Sequence, residues 1–383
     1  MAQLPEPSLN ALRDRILAAV ADGATLRIRG GGSKDSLCPA TSAAAPLDTR
    51  GHSGILSHEP GELVLTARAG TPLAEVEAAL AQHGQALAFE PPRLGSSLAG
   101  TLGGAVASGL SGPARASAGA LRDFVLGVQA LNGKGEALTF GGQVMKNVAG
   151  YDISRLLAGS WGNLAVLTEI SLKVLPLAPA EATLAFALPQ QQALDLLHTW
   201  GAQPLPLDAS RWQQLEHGPC LHLRLRGARA AVDAAVRMMT GQHGATLVQA
   251  DAARDGWTAC RDQLLDFFAR PPQPDWGLWR LSVPQVTPAF AHVWPTLVEW
   301  HGGQRWLWAP CDARQATALH ALADSAGGHA MLWQLPASHA GSGDIATASL
   351  PRQAPLPATL QRIHQGLKQA FDPHGVFADG QAF

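Results

Sequence analysis

A chain of 383 residues, 46% hydrophobic and 15% charged, is long enough for two folded domains and too apolar for a disordered segment. Its net charge of −2 excludes a global electrostatic pull toward nucleic acid or an anionic membrane surface. Cys38, Cys220, Cys260 and Cys311 lie far apart in the sequence, which argues against iron–sulfur or structural zinc ligation within this chain and fits a reducing, cytoplasmic compartment. No signal peptide is expected, because no charged segment leads into an apolar core. No membrane span is expected either, because no apolar run reaches about 18 residues.

Residues 8–23 have a helical period, with Leu9, Leu12, Ile16, Leu17 and Val20 on one face, Ser8 placed to cap the start and Gly23 to end it. A short strand is expected over 25–29, and it leads straight into three glycines, Gly30 to Gly32. Residues 63–69 alternate as a strand. The next segment, "GTPLAEVEAALAQHG", reads as a helix capped by Thr71, opened by Pro72 and packed through Leu73, Val76 and Leu80. Residues 95–119 are nearly all Gly, Ala and Ser. A flexible linker is one reading, but the spaced Leu and Val favour an ordered surface lined by backbone. Residues 125–140 read as a hairpin around Asn132-Gly133-Lys134-Gly135. Residues 163–175 read as a half-buried strand, with Val166, Thr168, Ile170, Leu172 and Val174 inward and Glu169, Ser171 and Lys173 outward. After Pro176 and Pro179, strands and helices alternate to about residue 335, which suggests a second domain on an antiparallel sheet. A last helix ends at Asp372-Pro373.

The loop "RGGGSKDSL" at 29–37 lacks the spacing of a Walker loop, and Asp35 occupies the place of the third glycine in a Rossmann fingerprint. What remains is a nest of backbone N–H groups that can hold an anion, with glycines that tolerate positive φ and let a pyrophosphate come close. A plain turn is the competing reading of the loop alone. A second bare wall at 95–119 favours a large dinucleotide.

Three segments then stand in order: "RGGGSKDSL", "GTLGGAVASGLSGPARASAGALRDFVLGVQALNGKGE" and "KNVAGYDISRLLAGSWGNLAVLTEISLKVLP". Together they resemble the PCMH-type FAD-binding domain of the vanillyl-alcohol oxidase superfamily, and within it the E-subunit family of bacterial glycolate oxidase (glycolate dehydrogenase). "FDPHGVF" resembles the end of that family. The resemblance implies an α+β protein. Residues 1–178 would form a PCMH-type FAD-binding domain of two α/β subdomains, 179–345 an α+β cap with an antiparallel sheet, and 346–383 a segment returning to the FAD domain. It implies FAD contacts from Arg29, Gly30, Gly31, Gly32, Ser33 and Lys34, and from Thr101, Gly103, Gly104, Ser108, Gly112 and Arg115. It implies others from Leu121, Arg122 and Asp123, and from Gly150, Gly159, Ser160, Gly162 and Val166. Ser33 stands where covalent relatives carry the histidine that bonds the flavin, so non-covalent FAD is expected.

The resemblance thins in the middle of the chain. The family's GDGN-x-H segment is missing, and "GGHAMLW" with His329 is the nearest equivalent. The terminal N-P-G is replaced by Ala378-Asp379-Gly380. Oxidation of a 2-hydroxy acid needs a cation for its carboxylate and a base for its hydroxyl proton. Arg224, Arg226 and Arg280 are candidate cations, and His217, His222 and His329 candidate bases. Their spacing assembles no site, and catalytic residues stay unassigned. The resemblance implies an FAD-binding subunit of a multi-subunit glycolate dehydrogenase, partnered by a second flavoprotein and an iron–sulfur subunit. It would pass electrons while the partner flavoprotein oxidises the acid. Any membrane attachment would run through those partners. A self-sufficient FAD-dependent dehydrogenase or oxidase and a purely structural subunit are the alternatives.

Overall fold

The computed structural model describes residues 7–37, 44–95, 100–142, 151–336 and 352–378. The chain divides into two compact units. The first combines Met1–Ser111, Ala120–Leu177 and Leu356–Phe383, and the second combines Gly112–Gly119 with Ala178–Pro355. The short excursion at Gly112–Gly119 has no counterpart in the sequence-based division, which broke the chain only after 178 and 345.

In the first unit, the helix Pro7–Asp22 buries Leu12, Ile16 and Ala19 against the parallel pair β1 (Leu26–Arg29) and β2 (Ala45–Asp48). Leu26, Leu47, Leu131, Val166, Val376 and Phe377 complete that core. Ser8 does not cap this helix, which begins a residue earlier; its Oγ instead meets His52 Nδ1 at 2.9 Å. A five-stranded sheet follows in the order β3-β4-β8-β6-β7, from β3 (Ile55–Glu59), β4 (Val64–Arg68), β6 (Val125–Leu131), β7 (Ala137–Gly141) and β8 (Val166–Lys173). All its neighbours are antiparallel. A two-residue bridge pairs β5 (Gln85–Ala86) with β9 (Leu175–Pro176).

The helix Leu73–Ala81 buries Leu73, Val76 and Leu80, the stripe read from its period. Thr71 does not cap it. Its Oγ1 accepts from Gly54 N at 2.8 Å and donates to Gly54 O at 3.2 Å, a long-range tie that outcompetes the local cap. The β6–β7 turn is organised by Asn132, whose Oδ1 accepts from Lys134 N and Glu136 N, both at 2.9 Å. β8 is more deeply buried than its alternation implies. It is the central strand, Leu167 and Ser171 are buried on the second face, and Ser171 Oγ meets Thr66 Oγ1 at 2.9 Å. At the carboxyl end, the helix Ala358–Phe371 stops at Asp372, whose carboxylate accepts from Val376 N and Phe377 N, both at 2.9 Å. The chain then runs beside β1, with Leu26 N donating to Val376 O at 2.7 Å.

The second unit is built on an eight-stranded antiparallel sheet in the order β13-β10-β12-β11-β15-β16-β14-β17. Its strands are β10 (Ala180–Phe186), β11 (Leu207–Leu215), β12 (Gly218–Gly227), β13 (Thr246–Leu247), β14 (Trp276–Ser282), β15 (Thr296–Glu299), β16 (Gln304–Pro310) and β17 (His329–Gln334). The helices Gln190–Gly201 and Arg229–His243 pack Leu194, Leu197, Val232 and Met239 over Leu184, Leu221, Leu223 and Leu225. The helix Ala313–Ser325 covers Trp279, Leu307 and Leu332. No helix among the described residues is long and apolar enough to cross a membrane.

Candidate functional site

The loop after β1 folds back over a cleft in the first unit, and the opposite wall is the helix Leu102–Ser108. The two walls interlock because one position has no side chain. A Cβ on Gly30 would lie 2.4 Å from Thr101 Oγ1, which itself accepts from Gly104 N at 3.1 Å. Gly32 sits at φ +75°, and a Cβ there would strike the Arg29 guanidinium. Gly103 lets the helix approach the chain just past β4, where a Cβ would come within 2.7 Å of Ala69 Cβ. Gly104 differs. A Cβ there meets only Thr101 Oγ1, at 3.1 Å, so its bare side belongs to the cleft. The walls therefore offer backbone to a ligand, while Arg27, Arg29 and Lys34 supply positive charge around one carboxylate, Asp35. Arg29 Nε donates to Asp35 Oδ2 at 2.9 Å, and Lys34 Nζ donates to Pro92 O at 3.3 Å. A wall of glycine and alanine with a cationic loop fits a dinucleotide: the backbone can approach a pyrophosphate and a flat ring closely.

The cleft brings together Arg29, Gly30, Gly31, Gly32, Ser33, Lys34, Thr101, Gly103, Gly104, Ser108 and Gly162. Other residues implied by the resemblance lie elsewhere. Gly159 N donates to Val106 O at 3.0 Å, and Ser160 Oγ donates to Leu157 O at 2.8 Å, so both brace the turn behind the helix. Val166 and Leu121 are fully buried. Arg122 and Asp123 are the exposed residues of the turn Leu121–Phe124, and Asp123 pairs with Arg155 at 3.6 Å. Gly112 and Arg115 belong to the second unit. Gly150, Cys38, Asp379 and Gly380 lie outside the described residues. The sequence reading missed Thr49, Ala69, Ala107, Trp161 and Leu167 as lining residues. Trp161 was within reach, since it lies between two glycines of the third motif; it occupies the left-handed region at φ +54°.

The second unit holds a cavity of about 560 Å3, and it gathers charge rather than backbone. Arg280 on β14 and Arg115 on the 112–119 excursion both line it, with Ser282, Gln285, Trp300 and His329. The Arg280 guanidinium lies 5.3, 5.9 and 5.4 Å from the ring centroids of Trp300, Trp306 and Trp333. Its Nε donates to Gln304 Oε1 at 2.8 Å. No carboxylate among the described residues lies within ion-pair distance of it. Burial, and then the neighbouring Arg115, bring its pKa down to about 10, so it stays charged. His329 is exposed at the start of β17; partial desolvation and then Arg280 push its imidazole below its ordinary value, which favours the neutral form that can accept a proton.

The other candidate cations and bases do not join this cavity. Arg224 is buried in an ion pair with Asp208, and Arg226 pairs with Glu181 at 2.7 Å and Asp208 at 3.5 Å. The alternating arginines therefore do not form a simple solvated face. His217 is exposed in the β11–β12 turn, and His222 lies within β12, where burial and Arg211 bring its pKa down to about 4.

The cleft belongs to a PCMH-type FAD-binding domain, and the chain is of the class of FAD-dependent oxidoreductases. Residues 7–141 match the family model of the FAD binding domain, and FAD is the cofactor. Alkyldihydroxyacetonephosphate synthase shares the fold, with a TM-score of 0.66 at 14% identity over 96% of this chain and 74% of its own. The glycolate oxidase subunit GlcE of Escherichia coli K12 is 41% identical over 374 residues, which cover 97% of each chain. The chain belongs to the family of that subunit. Shorter matches lie at the D-lactate dehydrogenase of Archaeoglobus fulgidus (34% identity, 32% of this chain and 27% of the relative) and the glycolate oxidase subunit GlcD of Bacillus subtilis (35% identity, 25% and 20%).

Proposed function

We propose that this chain is the FAD-binding subunit of a glycolate (2-hydroxy acid) dehydrogenase, and that its second unit receives the acid. The observation that carries the reading is that the same chain holds a glycine cradle in its first unit and, in its second, a cavity with two arginines and a histidine. The glycine loop and the Leu102–Ser108 helix would hold FAD without a covalent bond, because the loop offers Ser33 and no histidine. Bound FAD supplies the acceptor for the hydride from C2 of the acid. Arg280 and Arg115 would bind the carboxylate, and His329 would take the hydroxyl proton as glycolate becomes glyoxylate.

Partnership with a second flavoprotein subunit is supported by the names of two relatives, which are both subunits of a glycolate oxidase. An iron–sulfur subunit would supply the centres that this chain is poorly equipped to bind. Burial raises the thiol pKa of Cys220, Cys260 and Cys311, and Cys260 Sγ donates to Glu299 Oε1 at 3.1 Å. Those partner names also favour a second reading, in which this chain carries FAD and electrons while a partner oxidises the acid. An anaerobic absorption spectrum of the chain purified alone separates the two. Flavin bands that bleach on adding glycolate support oxidation here; bands that persist support the second reading.

A further inference from the structure

We propose that Trp300 is the positioning residue of the acid cavity: a single indole that holds Arg115 and Arg280 so that both converge on one carboxylate. The inference rests on the carboxylate reading above. The Arg115 guanidinium lies 4.5 Å from the centroid of the Trp300 ring, and that of Arg280 lies 5.3 Å from it. Both separations are inside the range where a cation is attracted to an aromatic face. Two like charges sharing one ring repel each other. A small anion between them would relieve that repulsion and gain two charge-assisted hydrogen-bonding partners.

The indole is itself fixed. Trp300 is 5% exposed, and its Nε1 donates to Gly112 O at 3.0 Å. That bond ties the ring to the Gly112–Gly119 segment, which carries Arg115. One side chain thereby joins an arginine on β14 to an arginine some 165 residues earlier, as their numbers show.

The backbone beneath the ring is unusual. Trp300 and His301 are consecutive non-glycine residues in the left-handed region, at φ +54° and +55°. Such a conformation persists only where its surroundings impose it. Here His301 N and Nδ1 both meet Ser210 Oγ, at 2.9 and 3.0 Å. Trp300 O accepts from Gln285 Nε2 at 3.2 Å and from Gly303 N at 3.1 Å. The core residue Trp257 also lies against two guanidiniums, Arg211 at 5.5 Å and Arg224 at 5.0 Å; what sets Trp300 apart is that its ring and both of its arginines line one cavity.

The test is a double-mutant cycle on the full chain loaded with FAD, with the dissociation constants of glycolate and oxalate measured by titration calorimetry. Trp300→Leu is expected to weaken both about tenfold, and Trp300→Phe, which keeps an aromatic face, about threefold. In an Arg115→Ala background both substitutions are expected to show a clearly smaller effect, because the ring then has only one guanidinium to position. Equal losses in the two backgrounds would make Trp300 a merely structural residue and overturn the proposal. Unchanged binding by both Trp300 variants would overturn it too, while leaving the carboxylate reading intact. Wild-type protein that binds neither anion would instead remove the carboxylate reading and this inference with it. If Trp300→Leu does not fold, the Trp300→Phe arm carries the same comparison.

Discussion

The two units solve opposite problems. The cleft of the first unit is made by leaving atoms out: Gly30, Gly103 and Gly104 sit where a Cβ would strike a neighbour or fill the cleft. The cavity of the second unit is made by holding charges in. Arg280 is packed among Trp300, Trp306 and Trp333, and no acidic partner pairs with it among the described residues. A dinucleotide needs close approach along its length, which bare backbone provides. A small carboxylate needs two or three donors that do not swing away, which packed side chains provide here. A bulky residue therefore damages the first kind of site, and loss of a side chain the second.

The largest expected effect is in the first unit. Gly104→Val would place a branched side chain in the cleft, and flavin content, read from absorbance of the purified protein, is expected to fall to background. Retention of flavin would break the assignment of that wall. Next comes Arg280→Ala, which removes the desolvated cation. A charged hydrogen-bonding partner is worth about 1.5–3 kcal/mol, so the KM for glycolate is expected to rise ten- to a hundredfold with flavin content unchanged. Arg280→Lys should recover little of this, because an ammonium lacks the planar fork that grips a carboxylate.

A broader contrast concerns acid. Burial brings the pKa of His301 down to about 4, and burial with Arg211 does the same for His222. The fold prefers both in their neutral form, whereas the unfolded chain protonates them near pH 6.5. Their contribution is therefore complete above pH 6.5 and is lost as pH falls from 6.5 toward 4. The loss is up to roughly 3 kcal/mol for each histidine. Ten of the eleven tryptophans belong to the second unit, Trp161 being the exception. Melting followed by tryptophan fluorescence is accordingly expected to shift to lower temperature between pH 7 and pH 5, and His301→Asn should flatten that shift. The smallest effect is expected from Asp123→Ala. That carboxylate pairs with Arg155 at the surface, so flavin affinity should change by less than about 0.5 kcal/mol.

The same contrast governs what could be read from the sequence. The glycine cleft was partly legible because two of its parts are local: a strand that leads into a run of glycines, and a Gly/Ala/Ser stretch read as ordered backbone; the capped helix Leu102–Ser108 within that stretch was not read. Its braces were partly legible, and Gly159 and Ser160 belong to the motif without lining the cleft. Ser8 and Thr71 looked like caps because helix caps are local patterns, but both are committed to partners far along the chain. The second cavity was not legible. Arg115 travelled with the flavin motif in sequence yet lines a cavity of the other unit, because the chain leaves the first unit for eight residues and comes back. Arg280 and His329 were candidates among several, and only the β14–β17 pairing brings them to one place. Trp300 has no periodic signature at all, since its role depends on a left-handed turn.

Flavin and acid would be held by separate sets of residues on this one chain. The most direct measurement pairs flavin absorbance with the dissociation constant for oxalate in Gly104→Val and Arg280→Ala. A double dissociation is expected: Gly104→Val loses flavin and keeps oxalate binding, while Arg280→Ala keeps flavin and loses oxalate binding. Loss of both ligands in each folded variant, or loss of neither, would contradict it.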